Sequence, residues 1–165
     1  MHYTGTIWRP PYEAYSLLIQ VTAGCTHHSC KFCTLYEDLP FKFRMSPLSE
    51  VKSDLAEASK YYKNAPRIFF TGANPFVLTT DKLKKLAEMV KKYYPNYQTI
   101  GCFGRITDLY NKTVDDLKEL RALGYDGITF GVETGNDEAL AFMNKGFRSS
   151  DTIEQAKKLE KAGIS

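Results

Sequence analysis

Three cysteines fall within nine residues, Cys25, Cys30 and Cys33, in the spacing C-x4-C-x2-C. They follow the apolar run Ser16-Leu-Leu-Ile-Gln-Val-Thr22, and the aromatic Phe32 immediately precedes the last of them. Clustered thiolates at a strand end suit a soft metal centre, because sulfur ligands select zinc or iron–sulfur clusters. A structural zinc is normally closed by four protein ligands, whereas a reactive centre keeps one position open. Three ligands therefore point to an open cluster. The competing chemistry is a zinc site closed by His27, His28 or His2. A histidine inside the loop has difficulty completing a tetrahedron with all three sulfurs, and zinc leaves Phe32 and the upstream strand unexplained.

The fourth cysteine, Cys102, stands alone on an apolar stretch and reads as a small buried hydrophobe. An even, dispersed set of cysteines would be needed for a disulfide framework, and this chain has none. Other candidates are scattered along the chain: Gly72 with Asn74, Arg105, and Glu133.

The elements that must position these residues alternate between strand and helix. Apolar runs predict strands over Tyr15–Thr22, Arg67–Gly72, Tyr97–Phe103 and Gly127–Glu133. Helical spacing predicts helices over Pro47–Tyr62, Thr80–Tyr94, Thr113–Leu123 and Ser150–Ala162. Ser46 and Ser150 are the expected caps, and Pro95, Gly124 and Gly163 the expected stops. Four such units predict an α/β fold with a parallel sheet and right-handed crossovers. Each candidate then lies at the carboxyl end of a strand, the edge on which parallel sheets and barrels build their sites.

The 165 residues fit one domain, with residues 1–14 as an N-terminal extension. A formal charge of +3 is too small to imply nucleic acid or an acidic membrane surface, and most lysines fall on helical faces. No apolar run approaches the roughly 20 residues of a membrane span, and the N-terminus lacks a signal-peptide pattern. A cytoplasmic location follows as the expectation, with thiols reduced and open to metal.

The segment Arg9 to Cys33 closely resembles the opening of radical S-adenosylmethionine (radical SAM) proteins, in a subgroup with C-x4-C in place of the commoner C-x3-C. Phe41–Glu50, Leu120–Gly124, Phe130–Asn136 and Asn144–Gly146 are similar to the same subgroup. The resemblance implies a 4Fe–4S cluster on Cys25, Cys30 and Cys33, whose open iron takes the amino and carboxylate groups of S-adenosylmethionine. It implies reductive cleavage to a 5′-deoxyadenosyl radical that abstracts hydrogen from a substrate, with electrons from a flavodoxin- or ferredoxin-like donor. By position, Phe32 would lie beside the adenine. Glu133 would lie near the ribose or methionine end, and Arg105 and Lys145 against the methionine carboxylate. Gly72-Ala-Asn74 occupies the place of the methionine-amino contact but departs from the acid often found there.

The resemblance also implies a partial TIM-type (β/α) barrel of about six strand–helix units, of which this chain supplies four. Ile164-Ser165 reads as the beginning of a fifth strand, so the chain is expected to be cut short there. Its fourth strand would be an open edge through which two copies are expected to pair.

Overall fold

The computed structural model describes residues 1–165. Four strands form one parallel sheet: β1 (Leu17–Gln20), β4 (Arg67–Thr71), β5 (Thr99–Gly104) and β6 (Tyr125–Phe130), in that spatial order. A separate antiparallel pair, β2 (Thr22–Gly24) and β3 (Phe43–Met45), brackets the cysteine loop. Helices α1 (Leu48–Tyr61), α2 (Thr80–Tyr93) and α3 (Val114–Ala122) connect successive strands of the parallel sheet. Two more follow β6: α4 (Asp137–Phe142) and α5 (Ser149–Ala162). This is a partial TIM-type barrel, as expected from the alternation of elements.

Periodicity explains the connecting helices. Val51, Leu55 and Ala58 of α1, and Leu83, Leu86, Ala87 and Val90 of α2, are all buried on one stripe. They pack on Ile19, Ile68, Phe70, Ile100, Cys102 and Tyr125, which form the helix-facing side of the sheet. Alternation sends Phe69 and Phe103 to the opposite side, where their rings meet edge to face at 5.3 Å.

The amino-terminal end of the sheet is plugged. A short turn of 3-10 helix, Pro11–Glu13, brings the buried Glu13 beneath the strands to accept from Arg67 Nε at 3.1 Å. The same guanidinium crosses under Gly101 and Gly127 and donates to Asp126 O at 3.0 Å. The extension ahead of it is stitched down, with the His2 N–H on Asp54 of α1 and the Thr4 N–H on Gln20 of β1.

Several boundaries differ from the sequence expectation. The run Tyr15–Thr22 is divided: Tyr15 is fully exposed, β1 covers only Leu17–Gln20, and Thr22 belongs to the β2–β3 hairpin. The partner that divides it lies more than 20 residues downstream, so no local pattern announces it. The fourth strand is Tyr125–Phe130 rather than Gly127–Glu133, and residues beyond Phe130 turn back on themselves through Val132 N–H to Phe130 O. Helix α4 falls in a stretch where no helix was expected. Ser46 caps nothing, and the Asp151 carboxylate, not Ser150, takes the N–H at the start of α5. The expected fifth-strand residues do meet the sheet edge, where Ile128 N–H donates to Ser165 O at 2.9 Å.

Candidate metal centre

The cysteine loop leaves the carboxyl end of the sheet between β2 and β3. Cys25 N–H donates to Lys42 O at 3.0 Å, which closes the loop's base, and Cys33 N–H to Cys30 O at 3.2 Å, which turns its far end. Cys25, Cys30 and Cys33 are all free thiols with partial exposure, while Cys102 is fully buried in the core. Burial, the largest cause, pushes the Cys102 thiol far up, so it stays protonated and inert. Burial also raises the Cys30 thiol, opposed by the nearby charges of Lys145 and Arg105.

The donor set fits an iron–sulfur cluster better than a single ion. Zinc needs its ligands on one tetrahedron, whereas a cubane takes each thiolate on a separate iron. Two of the three histidines are occupied elsewhere: His2 Nδ1 pairs with Asp54 at 2.7 Å, and His27 Nε2 donates to Asn144 O at 2.6 Å. His28 stands in the loop in a left-handed conformation.

Three of the expected cosubstrate residues meet beside this loop. Lys145, almost fully buried, donates from Nζ to Glu133 Oε1 at 3.1 Å. Its ammonium also lies 5.6 Å from the ring centroid of Phe32 and 5.7 Å from that of Phe147, within cation–π range. Phe32 itself is half-exposed. Glu133 presents its carboxylate from a left-handed backbone, φ +66°, in the loop after β6. Arg105, just past β5, donates from Nη2 to Lys145 O at 2.7 Å.

Gly72 and Asn74 sit differently. Gly72 has φ +133°, and a Cβ there would overlap Thr22 Oγ1, so the chain leaving β4 passes tightly against β2. Asn74 is fully buried and its amide is engaged on both sides. Oδ1 accepts from Thr26 N–H at 3.3 Å; Nδ2 donates to Thr26 Oγ1 at 2.7 Å and to both carboxylate oxygens of Asp108 at 3.1 Å. Asp108 in turn accepts from Arg105 N–H at 2.8 Å. Asn74 is thus a strut between the cysteine loop and the end of β5.

Sequence reasoning missed Thr26, Asp108 and Asn144. Asp108 had a faint signal, its three-residue spacing from Arg105, which is the spacing of a cap. Asn144 had another, since Asn before Lys-Gly suits a left-handed turn.

A family model, the Radical SAM superfamily, matches residues 19–165. Among curated proteins the chain is 21% identical over 143 residues to the heme chaperone HemW of Bacillus subtilis (strain 168), covering 83% of this chain and 37% of that one. Among solved structures it superposes on the cobalamin-dependent S-adenosylmethionine radical enzyme OxsB with a TM-score of 0.71 at 20% identity, over 90% of this chain and 23% of that one. Coproporphyrinogen III oxidase (HemN) from Escherichia coli gives 0.63 at 17%, over 91% and 35%. The chain therefore spans between 23% and 37% of the length of these relatives.

Proposed function

The chain belongs to the radical SAM superfamily, and on that footing we propose that Cys25, Cys30 and Cys33 hold a 4Fe–4S cluster beside an S-adenosylmethionine site built from Phe32, Glu133 and Lys145. When bound, the cluster supplies the electron that opens the sulfonium to a 5′-deoxyadenosyl radical for hydrogen abstraction from a substrate. The observation that carries this reading is the meeting of Lys145, Glu133 and Phe32 against the cysteine loop.

Each side chain has a task suited to that ligand. The half-exposed face of Phe32 offers an apolar shelf for adenine. The Lys145 ammonium receives the methionine carboxylate as a charge-assisted hydrogen bond. Glu133, paired with the Lys145 ammonium, accepts from ribose hydroxyls. The Gly72 and Ala73 carbonyls accept no hydrogen bond within the chain and are free for the methionine ammonium. Arg105 orients the Lys145 backbone and adds positive charge near Cys30. Asn74 holds the loop to Asp108.

A reduced, cytoplasmic setting and a flavodoxin- or ferredoxin-like donor complete the reading. No helix is long and apolar enough to cross a membrane. The test is anaerobic reconstitution, with iron and sulfide measured per chain, then reductant and S-adenosylmethionine with detection of 5′-deoxyadenosine. About four irons with cosubstrate cleavage are expected. Cys25→Ala, Cys30→Ala and Cys33→Ala each lose iron, and Cys102→Ala keeps it. Four irons without cleavage would indicate a carrier rather than a catalyst, and zinc in place of iron would refute the assignment.

A further inference from the structure

Helix α4 ends at Phe142, and the turn after it takes its last carbonyls, Met143 N–H on Ala139 O, Asn144 N–H on Ala141 O and Lys145 N–H on Leu140 O. The cysteine loop and its neighbour supply donors to the three consecutive carbonyls of that turn. Lys31 N–H donates to Met143 O at 3.0 Å, His27 Nε2 to Asn144 O at 2.6 Å, and Arg105 Nη2 to Lys145 O at 2.7 Å. A fourth bond runs the other way, from Asn144 Nδ2 to Ser29 O at 2.8 Å. His27, Ser29 and Lys31 all lie between Cys25 and Cys33, more than a hundred residues from the turn they grip.

The backbone of the turn is shaped for this. Asn144 has φ +56° and Gly146 φ +79°, so Lys145 is flanked by left-handed residues. Asn tolerates that conformation better than most residues, and here its side-chain amide is held by Ser29 O. A Cβ on Gly146 would lie 3.1 Å from His27 Cε1 and 3.4 Å from Arg105 Nη2, so the turn approaches both closely.

We propose that Asn144 is a positioning residue, and that the Met143–Asn144–Lys145 turn is the dock that sets the cysteine loop. The inference rests on reading Cys25, Cys30 and Cys33 as cluster ligands, but the docking itself is a property of the chain without iron. The turn also carries Lys145, so one rigid element fixes both the loop that holds the metal and the ammonium offered to the cosubstrate. Asn74 braces the same loop from the opposite side at Thr26.

The experiment compares Asn144→Asp and Asn144→Gly with Asn136→Ala. The first two keep a residue tolerant of positive φ and lose the donor to Ser29. Asn136→Ala removes the cap of α4, where Asn136 Oδ1 accepts from Ala139 N–H at 2.9 Å, without touching the loop. Amide hydrogen exchange at Lys31 is read on the iron-free chain, and iron loss to a chelator and the electron paramagnetic resonance of the reduced cluster on the loaded one. Both Asn144 variants should exchange at Lys31 about tenfold faster than the parent. They should also release iron faster and shift the resonance. Asn136→Ala should lower the thermal midpoint and leave all three readouts near those of the parent. Unchanged Lys31 exchange in both Asn144 variants, or an equal rise in Asn136→Ala, would overturn the proposal. Faster Lys31 exchange in a chain that never takes up iron would uphold the dock and refute the cluster reading alone.

Discussion

Lys145 Nζ donates to Glu133 Oε1 at 3.1 Å, and the pair lies beside the Phe32 ring. Glu133 reaches that position only from φ +66°, a conformation that costs of order 1 kcal/mol or more for a non-glycine residue. In the chain alone, Glu133 is the partner that compensates the burial of the ammonium.

Lys145→Met is expected to weaken S-adenosylmethionine binding about 10- to 100-fold, the loss of one charged hydrogen bond. Methionine preserves the buried stem, so iron content should stay at the parental level. Equilibrium dialysis of the anaerobically reconstituted protein reads the affinity. A change below about twofold would remove Lys145 from the cosubstrate site.

Asp108 links the carboxyl end of β5 to Asn74, and its burial raises the carboxyl above its ordinary value of 3.8 despite the Arg105 and Asn74 donors that lower it. The folded chain then binds a proton that the unfolded chain has released. The associated stability is present below the unfolded value and is lost as pH rises through the folded one. Asp108→Asn abolishes this titration. In urea unfolding, the variant's stability relative to the parent should improve as pH rises from 3.8 and level off once the folded carboxyl has ionised. A difference that does not vary with pH would show that Asp108 does not titrate between the two states.

Gly72→Ala should destabilise by about 3 kcal/mol, because its Cβ would overlap Thr22 Oγ1 and lie 2.6 Å from Thr22 O at an unfavourable φ. Gly135→Ala has nothing within 4 Å of the new Cβ and should change stability by less than about 0.5 kcal/mol. Thermal melts of the two single variants check this. Equal effects would mean that the chain leaving β4 does not pack against Thr22 at Gly72 as described.

Legibility followed the range of the interaction. The stripes of α1 and α2 were readable because burial repeats every three to four residues within one segment. The cysteine triplet was readable because its three thiols are neighbours in sequence. Phe32, Glu133 and Lys145 could be named by resemblance, yet their mutual contacts join positions 12 and 113 residues apart. Asn74 shows the gap most clearly. Its place in the resemblance implied a cosubstrate contact, whereas its buried amide spans Thr26 and Asp108.

The sequence by itself determined the alternating α/β order and the three-thiolate loop at a strand's carboxyl end. Both depend on local spacing, which periodic burial and adjacent cysteines write directly into the chain. Only the tertiary structure decided how that loop is held. Its β2–β3 base, its Asn74 strut and its Asn144 dock each pair residues about 20 to 117 positions apart. Such pairings become favourable only after the sheet has brought its carboxyl ends together, since closing so long a loop costs entropy that local contacts do not repay.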